Sequence, residues 1–266
     1  MVSIKKKQRF FALTENWFQY KFNWSDLFLP VCYRGLRDAE DLKFWGIKKL
    51  TKTVVLSLVE PIEIIHANFS TSNKRSIKKS QAEGVNCFFN NDRKEFIDFY
   101  NVFAKEKKLL PLDKSRAGEY EGEFWKCSYA VLNGEILVAH SYIEDLQSGI
   151  VRSMESGSMR LHSDYNPRDI ADANKLLHYY DINYFKERGL KFYDFGGWDD
   201  LPGLLDFKKS FGGFPIDVHN FFSYTYAVKE VLKTFGKGKK LKKPSADTTV
   251  KKINSTENKF KLSFFM

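Results

Sequence analysis

The sequence predicts an α/β fold built on a single mixed sheet, and three observations predict it. Short apolar runs bounded by turn residues alternate with helical patterns along the middle of the chain. Asn133-Gly134 sits between two such runs, the strongest short-range hairpin signal a sequence carries. A long amphipathic segment opening at Asn166-Pro167 leads into the apolar run Phe192 to Phe195, which stops on Gly196-Gly197.

Taken in order, the first 50 residues are aromatic and show no period; they read as an added lobe or a cover over one end of the domain. Thr53 to Leu58 is a strand, and Pro61 starts a short helix. Ser72-Asn73 caps a second helix through about Ala82, with Arg75, Lys78 and Lys79 on one face and Gly84 as its stop. Val85 to Phe89 is a strand. Asp92 and Glu95 have capping-box spacing for a helix to about Lys107, whose stripe of Phe96, Phe99, Tyr100 and Phe103 reads as core. Trp125 to Leu132, Glu135 to Ile143 and about Gly149 to Leu161 form a three-stranded meander. The long helix from Pro167 ends at Gly189, a strand covers Lys191 to Phe195, two helical turns cover Gly203 to Ser210, and Ile216 to Tyr226 is the last strand. A meander followed by a helix and a further strand is the layout of the GNAT N-acyltransferase fold. The chain divides into an N-terminal segment (1–52), an acyltransferase-like domain (53–228) and a basic tail (229–266).

Composition narrows the functional classes. No apolar run approaches the roughly 18 residues of a membrane span, and the basic start at Lys5 to Arg9 precedes too short an apolar run for a signal peptide, so a cytoplasmic protein is expected. Cys32, Cys87 and Cys127 and the five histidines are scattered without metal-ligand spacing, so neither a disulfide framework nor a metal is expected. Of the net charge of +10, +8 falls on residues 229–266, with 11 lysines against three acids. That tail reads as flexible, and either as solubilising or as attracted to an anionic membrane or RNA. DNA is not an expected partner.

The chain resembles the FemABX-like branch of the GNAT superfamily. The likeness rests on Asn73-Lys-Arg-Ser-Ile-Lys-Lys-Ser80 with Gly84-Val85, on Asn133-Gly134-Glu135, and above all on Tyr193-Asp-Phe-Gly-Gly197 followed by Phe207-Lys208-Lys209 and Phe211-Gly212-Gly213. The resemblance implies an N-acyltransferase that passes an acyl or aminoacyl group to a primary amine of a cell-envelope precursor or amino sugar, by direct attack in a ternary complex. It also implies a carbonyl held where the last meander strand, near Ser156 to Leu161, splays from the strand ending at Asp194. The family's members look like two GNAT-like halves, often with a helical arm, whereas this sequence shows one half and a 50-residue front segment.

Each candidate residue carries two readings. Asp194 steers or deprotonates the amine, or caps a turn with the following glycine N–H groups. His162 and Tyr165 are candidate proton shuttles, or structural. Lys208, Lys209, Arg75, Lys78 and Arg160 are candidate binders of phosphate or of an RNA end, or solvated surface charge. Trp198 lines an acceptor pocket or covers the core. Phe207 and Phe211 read as core. No tightly bound cofactor is expected. The donor is aminoacyl-tRNA, acyl-CoA or an acyl-carrier protein. Against ordinary CoA binding, the stretch Arg160 to Asp172 has no glycine, Pro167 removes one N–H, and Asp169 and Asp172 oppose a pyrophosphate at the helix start, with Arg168 an offset. The alternatives are an acyl-CoA-dependent acetyltransferase of a small amine or nucleotide sugar, and a non-catalytic RNA- or membrane-binding module.

Overall fold

The computed structural model describes residues 1–8, 11–21, 23–39, 46–112, 124–162, 164–198 and 201–229. The basic tail beyond Lys229 lies outside the described residues. The described strands are β1 (Val2–Gln8), β2 (Phe11–Trp17), β3 (Val31–Leu36), β4 (Ile47–Ser57), β5 (Asn86–Phe89), β6 (Trp125–Leu132), β7 (Glu135–Asp145), β8 (Ile150–Ser158), β9 (Phe192–Asp194) and β10 (Phe214–Phe222). The helices are α1 (Ile62–Ala67), α2 (Thr71–Ala82), α3 (Arg93–Glu106), α4 (Pro167–Glu187) and α5 (Pro202–Lys209), with a 3-10 turn at Trp24–Leu27. All ten strands join one mixed sheet in the order β1-β2-β3-β10-β4-β9-β8-β7-β6-β5.

The local signals act as expected through the middle of the chain. Asn133 and Gly134 both have positive φ, the geometry of a two-residue hairpin. Asp92 caps α3 by accepting from the N–H groups of Lys94 and Glu95, and Asn166 caps α4 by accepting from Arg168. Ser70 rather than Ser72 or Asn73 caps α2. Asn73 is instead buried and donates to Ser210 Oγ at 2.8 Å, which ties the start of α2 to the end of α5.

The N-terminal segment differs from its expectation. It supplies β1, β2, β3 and the first half of β4 to the same sheet as the rest. Some of its inward positions carry charge. Glu15 is buried on β2 and accepts from Lys6 of β1 at 3.0 Å, from Arg34 of β3 at 3.3 Å and from the Tyr226 hydroxyl at 3.0 Å. Ionic residues facing inward erase the apolar alternation that would mark these strands. The last strand also stops early, at Phe222, because Ser223 turns the chain into helical residues 224–229; its hydroxyl accepts from the N–H groups of Tyr226 and Val31.

Two cores cover the two faces of the sheet. On one, α1, α2, α4 and α5 pack through Ile65, Ile77, Leu177, Phe185 and Phe211 against Val54, Val151 and Tyr193. On the other, α3 and the β1–β2 hairpin pack through Phe96, Tyr100, Ile4 and Trp17 against Trp125, Ile143 and Ile150. β8 and β9 run parallel at the centre, paired only from Ile150↔Phe192 to Arg152↔Asp194.

Candidate active site

After Asp194, β9 leaves β8. The chain turns at Gly196, whose φ of +79° suits a residue without a Cβ, and the carbonyl of Gly196 accepts from Val54 N–H. β8 runs on to Ser158 with no β9 residue opposite it. Across from it, the register slips between His140 and Tyr142 of β7, a bulge whose backbone is held by Ser141: its hydroxyl accepts from Glu155 N–H at 3.2 Å. The parted strands leave a cavity of about 470 Å³. Trp17 and Arg152 line it from the hairpin side of the sheet, Asn174, His178, Phe207 and Lys208 from the α4–α5 side, and Ser153, Met154, Ser156 and Gly196-Gly197 from the parted edges. The gap is therefore walled from both faces of the sheet.

Two cations shape it. Lys208 is buried, and its ammonium donates to the carbonyls of Phe195 at 2.7 Å, Gly196 at 3.0 Å and Gly197. It fixes the turn that ends β9 and carries a positive charge to the cavity wall. The close approach behind it needs Gly213, where a Cβ would lie 2.7 Å from Val54 and 2.9 Å from the Lys208 carbonyl oxygen. Arg152 donates to Asp194 Oδ2 at 2.6 Å and to Thr53 Oγ1 at 3.2 Å, with its guanidinium 5.4 Å from the Trp17 ring centre.

The sequence-predicted residues divide sharply by position. Asp194 is buried beside the cavity, and its carboxylate accepts from Arg152, Thr53 and Gly196 N–H, so its acceptor positions serve the ion pair and the turn. Lys208 lines the cavity. Lys209 is exposed on α5 away from it, and Arg75 and Lys78 are exposed on α2. Arg160 is exposed and His162 and Tyr165 half-buried in the β8–α4 connection, where His162 Nδ1 lies 3.5 Å from Asp164. Trp198 packs on the core under α4 and α5. None of these seven lines the cavity. Lys79, rather than Arg168, offsets the acids at the start of α4, contacting Asp169 at 2.7 Å and Asp172 at 3.3 Å.

The residues not foreseen form a buried polar chain that opens on the cavity at both ends. His140, Tyr142, Asp181 and Tyr193 are wholly buried, and His178 nearly so. The Tyr142 hydroxyl donates to Asp181 Oδ2 at 2.5 Å, and His140 Nδ1 lies 2.9 Å from the same oxygen. The Tyr193 hydroxyl lies 2.7 Å from Tyr142 and 3.0 Å from His178 Nδ1. His140 Nε2 lies 2.8 Å from Asn174 Oδ1. Burial first, then Asp181, pushes both phenols well above 10, which keeps them as protonated donors. Burial first, then His140 and Lys208, pushes His178 well below 6.5, so its ring is neutral. Tyr142 has one hydroxyl proton, and giving it to Asp181 orders the rest. Tyr142 donates to Asp181, Tyr193 to Tyr142 and His178 Nδ1 to Tyr193, which leaves His178 Nε2 as the proton-accepting nitrogen.

A sequence signal for this chain exists. Asn174, His178 and Asp181 fall at i, i+4 and i+7 on α4, a polar stripe on the face otherwise built from Ile170, Ala173, Leu177 and Phe185. No cysteine lines the cavity, and burial pushes the Cys32 and Cys87 thiols up to about 12, away from thiolate chemistry. His140, His178 and Asp181 are near enough to be weighed as metal ligands. Asp181 Oδ2 is hydrogen-bonded to Tyr142 and His140, while its Oδ1 is buried with no hydrogen-bond partner.

No family model matches the sequence, and no curated protein matches it. Solved structures do. The structure of FemX is similar with a TM-score of 0.59 at 11% identity, over 87% of this chain and 86% of that one. The C-terminal domain of a lysylphosphatidylglycerol synthetase from Agrobacterium fabrum gives 0.56 at 8%, over 87% and 84%, and L-PGS from Bacillus licheniformis gives 0.50 at 12%, over 88% and 84%. The chain thus shares the fold of FemX and of these two structures.

Proposed function

We propose that the protein is an N-acyltransferase that joins an acyl or aminoacyl group to a primary amine by direct attack within the cavity. The observation that carries the reading is the gap between β8 and β9, walled from both faces of the sheet and bearing a buried ammonium and a neutral imidazole. Donor and acceptor can then meet from opposite faces without an enzyme-bound intermediate. The amine nitrogen attacks the acyl carbon and the carbonyl becomes an oxyanion. His178 Nε2 takes the proton the amine loses. The Lys208 charge and the unpaired edge of β8 face the developing oxyanion, and collapse expels the donor's ester or thioester oxygen or sulfur. Asp194 acts as a positioning residue through Arg152 and Gly196.

Two features favour an aminoacyl-tRNA donor over acyl-CoA. The start of α4 offers a proline and two acids held by Lys79, a poor pyrophosphate seat. The neighbours include FemX and a domain named for a synthetase of lysylphosphatidylglycerol, an aminoacylated lipid. An amine on an envelope precursor or an amino sugar is the proposed acceptor, and Lys209, Arg75 and Lys78 are candidate contacts for the phosphates of either substrate.

A transfer assay tests this. Aminoacyl-tRNA carrying labelled amino acids is incubated with the protein and a panel of amino-sugar and lipid-linked amine acceptors. Transfer converts label from an alkali-labile ester into an alkali-stable amide. Label that stays alkali-labile with every acceptor, together with a saturable thermal shift by acetyl-CoA that needs its pantetheine, would replace this reading with a CoA-dependent acetyltransferase.

A further inference from the structure

β4 runs antiparallel to both β9 and β10, so the C-terminal ends of β9 and β10 and the N-terminal end of β4 share one end of the sheet. The cavity lies just past β9 at that end. β4 continues from Val55, opposite Asp194, out to Ile47, hydrogen-bonded at Val54 to Phe195 and Gly196 and paired along its length with β10. Eight residues of β4 thus make, with β10, a ribbon reaching roughly 25 Å past the end of β9, backed along its other edge by β3. Ile47 and Leu50 are exposed on it, among exposed Lys48, Lys49 and Lys52.

Beside the ribbon's tip sits a second exposed apolar group. Trp24 and Phe28, in and after the 3-10 turn, are 73% and 77% exposed, and Leu29 is exposed next to them. The hydroxyls of Ser223 and Thr225 donate to the Leu29 carbonyl at 2.8 and 2.6 Å, which places exposed Tyr224 and Val228 beside this turn. Phe222, opposite Ile47, joins them to the ribbon. The charge here is basic. Asp26, the acid within the turn, is buried and accepts from Tyr33 at 2.6 Å, and exposed Asp217 stands farther along the ribbon opposite Lys52. The chain then enters, at Lys229, the segment holding +8.

We propose that this end of the sheet docks on an anionic lipid bilayer, with Trp24, Phe28, Leu29 and Tyr224 entering the interface and Lys48 and Lys49 at the level of the headgroups. Aromatic rings with exposed aliphatic neighbours suit the boundary between headgroup and acyl chain, and lysines reach back to the phosphates along their stems. Leu29, Ile47, Leu50 and Val228 offer nothing to an RNA phosphate or base edge, which makes RNA the weaker partner for this surface. A protein docked this way turns the end of the sheet that holds the cavity toward the membrane. The proposal stands apart from the acyl-transfer reading, since binding is scored without turnover.

The full-length protein is sedimented with extruded vesicles of phosphatidylglycerol and phosphatidylethanolamine, and with vesicles of phosphatidylcholine. Binding to the anionic vesicles, with quenching by brominated acyl chains that diminishes in Trp24→Phe, is the expected result. Trp24→Ser/Phe28→Ser should weaken partitioning about tenfold or more with an unchanged thermal midpoint, and Lys48→Glu/Lys49→Glu should weaken it on anionic vesicles. Failure to sediment with phosphatidylglycerol overturns the proposal. So does binding indifferent to the Trp24/Phe28 pair, which would assign it to the tail alone. Loss of poly(U) binding or of a dimer in the same double variant, with vesicle binding intact, would assign the surface to RNA or to a second copy of the chain.

Discussion

Among the described residues, the buried polar clusters around Glu15 and around Asp181 are built on opposite plans. Around Glu15 a single carboxylate takes Lys6, Arg34 and the Tyr226 hydroxyl, and Arg34 stacks near the rings of Trp17 and Phe222. The cluster ties β1, β2 and β3 to the helical residues that follow β10, and its members do not line the cavity between β8 and β9. Around Asp181 the chain of His140, Tyr142, Tyr193 and His178 runs from one wall of the cavity into the core and returns to it at Asn174. Asp181 Oδ1 is buried with no hydrogen-bond partner. A cluster that only holds strands together has no use for an unpaired oxygen or for two exits to a cavity. The difference separates an ionic staple from a path along which protons can be ordered.

The comparison breaks first at Asp181. Asp181→Ala leaves the Tyr142 hydroxyl and His140 Nδ1 without their acceptor deep in the core, and should cost about 3–5 kcal/mol in urea unfolding. Glu15→Gln keeps a hydrogen-bonding oxygen and leaves Lys6 and Arg34, whose side chains are 17% and 30% exposed, where water can reach them. It should cost about 1–3 kcal/mol. The two also differ with pH. Burial alone would raise the Glu15 pKa, but the charges of Arg34 and Lys6 and the hydrogen bonds from Lys6 and Tyr226 outweigh it and hold it below 4.5. The unfolded chain takes up that proton near 4.5 and the folded chain only at lower pH, so Glu15's contribution is complete above 4.5 and falls away as pH drops through the folded value. Glu15→Gln should flatten this part of the acid limb.

His178→Gln sharpens the contrast with a smaller effect on stability and a larger one on chemistry. The folded ring stays neutral well below 6.5, whereas the unfolded chain binds a proton near 6.5. Stability therefore declines as pH falls from 6.5, and the variant should lose that decline while its midpoint at pH 8 shifts little. In the transfer assay the turnover should drop roughly 10²- to 10⁴-fold, the range of a lost general base. An unchanged rate would make the polar chain as structural as the Glu15 cluster.

How far the sequence revealed these clusters follows from the same physics. The meander, the capped helices and the Gly196-Gly197 turn were legible because each rests on local chemistry: a positive-φ pair, a cap, a stop. The N-terminal strands were not, because Glu15, Arg34 and Lys6 occupy positions where an apolar alternation would have shown them. Lys208 could be singled out from its motif, but its three carbonyl acceptors come from a turn 11 to 13 residues away. The histidines are scattered in sequence. His140 and His178 meet only because β7 and α4 pack face to face, with their rings 4.3 Å apart. Asp194 was legible as a residue of the site region, while the partner that occupies it, Arg152, lies 42 residues earlier and carries no local mark.

Lys79 supplies the smallest and the most discriminating test. Like Glu15 it gathers three partners of opposite charge or polarity, Glu83 at 3.6 Å, Asp169 at 2.7 Å and Asp172 at 3.3 Å, and it bridges two helices. Its side chain is 41% exposed, however, and so are those of Glu83 and Asp169 to a similar degree. Water solvates the separated charges almost as well as they solvate one another, and salt screens what is left. Lys79→Met should barely move the thermal midpoint, and the residual difference should vanish in high salt, whereas the Glu15→Gln loss should persist there. Equal losses in the two variants would mean that the number of partners governs these clusters. A loss confined to Glu15 would show that burial does, and burial is the property that the Asp181 chain carries furthest.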